Sequence, residues 1–415
     1  MEENHFFPIA SNTACQLKWV WNTLYLNSGK SFSCHRTGGT ILTEDNFDNF
    51  HNTSVLLSDR KNMLNGKWPT QSCSYCRQIE EQGGVSDRIR QWSIPYKVPQ
   101  ELEKNPTAIS VTPTVLEVYF SNVCNMGCLY CTSQLSSVIE AENTKFGDFL
   151  KGTVKLVNHS NQYQKLLPLF WKWLDKHGQN LYRLNILGGE PFFQQEFNTL
   201  LEYLTANPMP ECELNVVTNL KISKVQLEKI VQIFRTLLKN RHIRRVDITC
   251  SIDCWGPEQE YVRYGMNLQQ WEENFNYLLT KKWLTLNINQ TISPLTIKTM
   301  PELLRKLRKW RQERKIGHWF SGVSPQPDYL KVNVLGGDVF DQDFNEILYL
   351  MPDNNNEDRL AKKYMEGIYK ETHSTGIVPD LVNDLFIFLN EKDRRRNTNW
   401  RDIFPWLIDF ENKIK

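Results

Sequence analysis

Three closely spaced cysteines, Cys124, Cys128 and Cys131, constrain this chain more than any other feature. They follow the apolar run at residues 114–120, which has the composition of a buried strand, so we expect the thiols on a turn directly behind it. Structural zinc and most electron-transfer iron–sulfur clusters take four protein ligands. A cubane held by only three leaves one iron open to a small molecule. Two other interpretations stay open: a zinc site completed by a distant Cys or His, and unligated buried thiols.

Strand-like and helix-like segments alternate from residue 114 to residue 340, the pattern of βα units around a parallel sheet. The candidate strands are 115–120, 182–187, 213–218, 245–251, 284–290 and 329–334. The candidate helices between them include 197–204, 224–239, 268–279 and 299–312. Six units predict an α/β fold with a partial (β/α)6 barrel, whose chemistry is expected at the carboxyl ends of the strands. We predict a Cys-rich module and connector at 1–113 and a C-terminal helical extension at 341–415.

Polar groups follow the second and fourth candidate strands. Gly188, Gly189 and Glu190 come directly after the second. Glycines let a backbone approach a ligand closely, and a neighbouring carboxylate can accept hydrogen bonds from an ammonium group. The competing interpretation is a helix-entry loop, because a proline follows. On the fourth strand, a period of two places Ser251 and Asp253 on one face.

Four further cysteines lie in the first hundred residues. A strand at 19–26, a turn, and a return strand at 31–34 predict a hairpin that brings Cys15 near Cys34. Together with the Cys73-x-x-Cys76 pair they form a candidate four-thiolate site for zinc or for a second iron–sulfur cluster. The remaining cysteines are predicted to be buried structural thiols: Cys212, Cys250 and Cys254.

The C-x3-C-x2-C spacing, with an aromatic residue before its last cysteine and Gly-Gly-Glu-Pro one strand later, resembles the radical S-adenosylmethionine (SAM) superfamily. The resemblance implies a partial barrel and a [4Fe-4S] cluster on Cys124, Cys128 and Cys131, with SAM on the open iron. It implies that the Gly-Gly-Glu motif binds the amino group of SAM.

The remaining SAM contacts are implied by the same resemblance. Ser251 and Asp253 would bind the ribose hydroxyls, and Arg263 would bind the carboxylate, for which a guanidinium is a bidentate match. A solvated, exposed side chain is the competing interpretation of Arg263. Tyr130 would neighbour the adenine, and Asn289, at the end of the fifth strand, would touch the adenosine.

The N-terminal cysteines resemble the SPASM/twitch auxiliary-cluster modules of radical SAM enzymes. Those modules have a Cys, a Gly about a dozen residues later, a Cys five residues after that Gly, and a later C-x2-C; Cys15, Gly29, Cys34, Cys73 and Cys76 match. Here the module precedes the barrel instead of following it, and the further cysteines of a full SPASM module are missing. The resemblance implies one auxiliary iron–sulfur cluster, with zinc as the alternative.

Composition excludes several classes of function. A formal net charge of +2 argues against a general polyanion binder, so nucleic acid is not expected as a partner. No apolar stretch approaches the roughly 20 residues that cross a bilayer. The opening Met-Glu-Glu-Asn-His lacks the features of a signal peptide, and ten cysteines without one indicate metal ligands and thiols in a reducing cytoplasm.

The resemblance implies an enzyme that cleaves SAM reductively to a 5′-deoxyadenosyl radical, which abstracts hydrogen from a substrate. Similar enzymes mostly modify ribosomally made peptides, so a peptide is the expected substrate and a flavodoxin or ferredoxin the expected electron donor. Two alternatives stay open. One is a radical SAM enzyme acting on a small molecule or nucleotide, and the other is a non-catalytic zinc protein that binds a partner.

Overall fold

The computed structural model describes residues 7–34, 37–69, 72–81, 83, 86–91, 94, 96–148, 160–323 and 327–414. The opening residues 1–6, on which the expectation of no signal peptide rests, lie outside this set. The strands of the described part are β1 (Trp21–Tyr25), β2 (Lys30–Phe32), β3 (Thr40–Ile41), β4 (Val115–Tyr119), β5 (Arg183–Leu187), β6 (Met209–Thr218), β7 (Ile243–Ser251), β8 (Thr285–Ile292) and β9 (Gly317–Gly322).

These strands form one mainly parallel sheet in the order β3-β2-β1-β4-β5-β6-β7-β8-β9. Only the β1–β2 and β2–β3 pairs are antiparallel among the described pairings. Strands such as β4 and β5 are nearly continuous buried runs, as expected for parallel strands. The predicted α/β class is confirmed, and the alternation of strand and helix is the one expected of a partial barrel.

The predicted N-terminal hairpin is confirmed, with a later start. Leu17–Val20 form a helical turn, so the first strand begins at Trp21 instead of residue 19. β1 also pairs in parallel with β4 over its whole length, and the rings of Tyr25 and Tyr119 stack with centroids 4.1 Å apart. The cysteine-rich segment therefore adds three strands to one end of the sheet, which the sequence pattern did not indicate.

Helices occupy most of the intervals between strands. Their bounds are α1 (Leu17–Val20), α2 (Ser54–Leu64), α3 (Ser74–Glu81), α4 (Asp87–Gln91), α5 (Gln100–Lys104), α6 (Ser137–Phe146), α7 (Ser160–His177), α8 (Gln195–Ala206), α9 (Lys224–Lys239), α10 (Pro257–Val262), α11 (Leu268–Leu279), α12 (Met300–Glu313), α13 (Asp341–Leu350), α14 (Asn356–Ser374), α15 (Pro379–Arg396), α16 (Trp400–Ile403) and α17 (Ile408–Ile414). The predicted helices 224–239 and 268–279 coincide with α9 and α11. Within the described ranges, none of the helices has the length and apolar character that crossing a membrane requires.

The predicted sixth barrel strand, 329–334, is wrong. That segment forms two short 3-10 helices, which bury the same apolar side chains without pairing to the sheet. The strand beside β8 is instead β9, where Gly317 lies opposite Asn287. A Cβ on Gly317 would lie 2.1 Å from Asn287 Oδ1, so the pairing requires glycine at this position. The segment between the two glycines is short and largely unburied, and its pairing with β8 identifies it as a strand.

The chain divides into two compact units. Unit 1 comprises 1–122, 157–216 and 232–246, and unit 2 comprises 123–156, 217–231 and 247–415. The predicted boundaries at 113 and 340 stay predictions, and the N-terminal hairpin belongs to unit 1. The core of unit 1 includes Trp19, Met63 and Leu102, all fully buried. In unit 2, Trp271 stacks on Phe275 with centroids 4.9 Å apart.

Candidate functional site

The three-cysteine loop is held by backbone hydrogen bonds within unit 2. The amide of Gly127 donates to the carbonyl of Tyr264, and the amide of Leu129 donates to that of Val262, both at 2.9 Å. These two bonds flank Cys128 on both sides. The loop is therefore fixed on the segment that also carries Arg263, which the local sequence pattern does not reveal.

Polar side chains support the first cysteine. The amide Nδ2 of Asn125 donates to the carbonyl of Lys221 at 2.7 Å, and Lys221 Nζ donates to the carbonyl of Asn125 at 3.0 Å. Asn219 Nδ2 donates to Asn125 Oδ1 at 2.9 Å and lies 3.9 Å from Cys124 Sγ. Asn125 and Lys221 are not among the predicted site residues. The one sequence signal for Asn219 is its position directly behind a strand.

The thiols of the loop are unbridged and differ in burial. Cys128 is buried, Cys124 and Cys131 are partly exposed, and none of the ten cysteines, all of which are described, is in a disulfide. Burial raises the pKa of Cys128, and burial followed by the neighbouring thiols raises the pKa of Cys131. A cysteine binds a metal as the thiolate, and burial disfavours this negatively charged form. A bound metal cation would offset that cost through its positive charge.

The spacing of the thiols separates zinc from a cluster. A tetrahedral zinc with Zn–S bonds of roughly 2.3 Å draws its sulfurs to about 3.8 Å from one another. Among the described residues, no three cysteine sulfurs all lie within 4.8 Å of each other. A cubane takes its thiolates at separate iron corners, which are farther apart. The three sulfurs are therefore not at the mutual distances of a tetrahedral zinc site.

Asp253 is the centre of a buried hydrogen-bond network. Its carboxylate accepts from Arg263 Nε and Nη2, both at 2.8 Å, from the Tyr130 hydroxyl at 2.6 Å, and from the backbone amide of Thr291 at 2.8 Å. Burial alone would lower the pKa of Arg263, but the Asp253 carboxylate outweighs it and the pKa lies well above its usual value. The interpretation of Arg263 as an exposed, solvated side chain is wrong, because this residue is buried.

This network bears on the predicted contacts with SAM. Four hydrogen bonds occupy both oxygens of Asp253. Arg263 uses Nε and Nη2, the two donors of a bidentate contact, to bind that carboxylate and not a ligand. Ser251 and Asn289 lie opposite each other on β7 and β8, so these two predicted contacts are neighbours. The roles of all four residues toward SAM stay predictions.

The Gly-Gly-Glu motif lies in unit 1, directly behind β5. Gly188 and Gly189 both have positive φ, +82° and +54°, in the region that favours glycine. A Cβ on Gly188 would lie 2.5 Å from Tyr119 Cδ1. Glu190 is buried, and its carboxylate accepts from the amide of Phe192 at 3.2 Å, capping the short 3-10 helix Pro191–Phe193. The helix-entry interpretation is thus confirmed locally, and the role in binding SAM stays a prediction.

The four N-terminal cysteines meet in one cleft of unit 1. Cys15, Cys34, Cys73 and Cys76 all line this cleft. Burial, followed by Cys34 and Cys73, raises the pKa of Cys15 to about 12, and burial raises that of Cys73 to about 11. Four thiols converging on one cleft are a donor set for a metal centre. The cysteines outside both sets, Cys212, Cys250 and Cys254, are buried, as predicted.

The solved structures that resemble the chain include two of Streptococcus suis SuiB. The crystal structure of Streptococcus suis SuiB bound to S-adenosylmethionine is 15% identical, with a TM-score of 0.37, over 66% of this chain and 58% of SuiB. Another crystal structure of S. suis SuiB is 14% identical, with a TM-score of 0.38, over 83% of this chain and 69% of SuiB. No protein-family model matches the chain. No curated protein matches it either.

The two units present different sets of thiol groups. Unit 2 presents three thiols on a loop fixed against a buried Tyr130–Asp253–Arg263 network. Unit 1 presents a four-thiol cleft and a glycine turn with a buried carboxylate. The first arrangement suits a cluster with an open coordination position, and the second suits a closed four-ligand centre.

Proposed function

We propose that this protein is a radical SAM enzyme in which Cys124, Cys128 and Cys131 hold a [4Fe-4S] cluster. The observation that carries the proposal is the loop itself: three unbridged thiols, spaced wider than zinc requires, on a backbone fixed at both sides of Cys128. When bound, the cluster supplies an electron that cleaves SAM to a 5′-deoxyadenosyl radical, which abstracts hydrogen from the substrate. An external donor such as a flavodoxin or ferredoxin delivers that electron.

The surrounding residues divide into binding and positioning roles. Ser251 and Asn289, side by side on adjacent strands, offer a hydroxyl and an amide to the nucleoside part of SAM. Asp253 already accepts four hydrogen bonds, so it acts by orienting Tyr130 and Arg263. Tyr130, directly before Cys131, then presents its ring face toward the adenine. The Gly188–Glu190 turn binds the amino group of SAM.

The second part of the proposal is an auxiliary iron–sulfur cluster on Cys15, Cys34, Cys73 and Cys76. The shared cleft supports a four-ligand centre, and the wide spacing of the sulfurs favours iron–sulfur over zinc. Such a centre relays an electron to or from the substrate, or shapes its pocket. Metal analysis of the purified chain distinguishes iron from zinc at this site.

The substrate we propose is a ribosomally made peptide. This rests on the resemblance of both cysteine motifs to peptide-modifying radical SAM enzymes. A short precursor gene beside the gene for this chain would supply the peptide for the test. Co-expression and mass spectrometry should then show a mass change in that peptide, and an unchanged peptide would favour a small-molecule or nucleotide substrate.

Anaerobic reconstitution tests the enzyme class directly. We expect about eight irons per chain for two cubanes and formation of 5′-deoxyadenosine from SAM under reducing conditions. Cys128→Ala should abolish 5′-deoxyadenosine formation. Cys212→Ala, a buried thiol outside both sets, is the matched control and should retain it. One or two zinc ions with no turnover of SAM would establish the zinc-protein alternative instead.

A further inference from the structure

Two buried hydrogen-bond donors of Arg396 have no hydrogen-bond partner among the described residues. It is the last residue of α15, and its side chain is only 4% exposed. Its Nε donates to Glu142 Oε2 at 2.8 Å, but Nη1 and Nη2 have no hydrogen-bond partner among the described residues. Leaving a charged donor buried and unpaired costs free energy, so such a group needs an explanation, which can be a water, an ion or a redox role.

The unpaired end of Arg396 lies against the three-cysteine loop. A Cβ built on Gly127, the residue before Cys128, would lie 3.2 Å from Arg396 Nη2. The guanidinium also lies over the ring of Tyr264, 4.5 Å from its centroid, and Tyr264 accepts the hydrogen bond that holds Gly127 in place. The guanidinium therefore lies beside the backbone turn that presents the Cys128 thiol.

Buried cations outnumber the buried carboxylate that they share beside Arg396. Among the described residues, Lys392, Arg395 and Arg396 all pair with Glu142, and Arg395 also pairs with the partly exposed Glu391. Burial, followed by the charge of Arg396, lowers the pKa of Lys392 to about 8, as expected where positive charge is crowded. The site has cationic charge to spare for an anion.

We infer that Arg396 is a positioning residue for a cluster held by Cys124, Cys128 and Cys131. It donates its Nη hydrogens to a sulfur of that cluster and raises the midpoint potential of the cluster. The inference rests on the proposed function, because it requires that cluster. The reduced form of a cluster carries one more negative charge than the oxidised form, so a nearby buried cation stabilises the reduced form. Hydrogen bonds to sulfur act in the same direction.

The test is a potentiometric titration of the reconstituted full-length protein, followed by electron paramagnetic resonance. Arg396→Gln removes the charge, and we expect at least a tenfold fall in the equilibrium constant for one-electron reduction, a shift of about 59 mV to more negative potential. Glu142→Gln leaves Arg396 in place without its counter-charge and should shift the potential the opposite way. Arg394→Gln, on the exposed side of the same helix turn, is the matched control and should change nothing.

A general loosening of the loop would shift the midpoint potential of both variants in the same direction. Shifts of opposite sign in Arg396→Gln and Glu142→Gln would therefore exclude that explanation. An unchanged potential in Arg396→Gln at full iron content would overturn the inference. If Arg396→Gln does not retain iron, Glu142→Gln decides: a positive shift supports the inference and no shift overturns it. Failure of the proposed function is distinct, because the wild-type chain would then bind no cluster at all.

Discussion

Arg263 and Asp253 form a buried bidentate ion pair, in which Nε and Nη2 each lie 2.8 Å from a carboxylate oxygen. The pair joins the end of β7 to the segment that fixes the three-cysteine loop. Removal of either partner leaves the other as a buried, uncompensated charge. The stability of the fold and the geometry of the three-cysteine loop are therefore coupled at this pair.

We expect Arg263→Gln to lower the free energy of unfolding by about 3–5 kcal/mol, the usual cost of breaking a buried ion pair from one side. The measurement is urea unfolding followed by circular dichroism. Arg305→Gln, which breaks the exposed pair with Glu346, should change stability by less than about 1 kcal/mol. Equal effects of the two variants would contradict the burial argument.

Tyr130→Phe removes a single hydroxyl, whose hydrogen bond to Asp253 measures 2.6 Å. Because the acceptor is a carboxylate, we expect a loss of about 1.5–3 kcal/mol in the free energy of unfolding. The two residues should also be coupled: in a double-mutant cycle with Asp253→Asn, the combined loss should be smaller than the sum of the single losses. Additive losses would show that the hydroxyl acts independently of Asp253.

Gly188→Ala should be destabilising for two reasons. The residue has a φ of +82°, and its new Cβ would lie 2.5 Å from Tyr119 Cδ1, so both strain and overpacking oppose the change. We expect a loss of about 1–3 kcal/mol by thermal or urea unfolding. Gly367→Ala is the control with opposite sign: it lies exposed in α14 with no heavy atom within 4 Å of the new Cβ, and it should gain up to about 1 kcal/mol.

His51 should make the stability depend on pH. It is buried, with its ring nitrogens 2.9 Å from the Trp19 carbonyl and 3.3 Å from Asn22 Nδ2. Burial, followed by the charge of Arg60, lowers its pKa well below the usual value, so the folded state keeps the neutral ring. The unfolded chain binds a proton below about pH 6.5, and the folded chain does not. The free energy of unfolding therefore falls as the pH drops below that value.

The expected loss from His51 is about 1.4 kcal/mol between pH 7.5 and pH 5.5. Urea unfolding of the wild type and of His51→Gln at both pH values measures it. The variant should be less stable at pH 7.5 but should lose less on acidification. Parallel pH profiles would show that another group carries the dependence.

Local pattern was sufficient for much of the fold. The helices α9 and α11 end where their apolar periodicity ends, and five barrel strands lie where short apolar runs predict them. Local pattern failed at the sixth strand, because β9 is a short segment that becomes a strand by pairing with β8 at the edge of the sheet. It also gave no sign that β1 pairs with β4, since 89 residues lie between Tyr25 and Val115.

The sequence by itself determined the ligand chemistry of this protein: three thiols on a turn behind a strand, and four more that could converge. Spacing along a chain specifies such a set because neighbouring residues cannot move far apart. The tertiary structure alone decided the partners of those groups. Asp253 accepts hydrogen bonds from Tyr130, Arg263 and Thr291. Arg396 lies against Gly127, more than two hundred residues away in the chain. The reason is that the partner of a buried charge is set by the packing of segments that are distant in sequence.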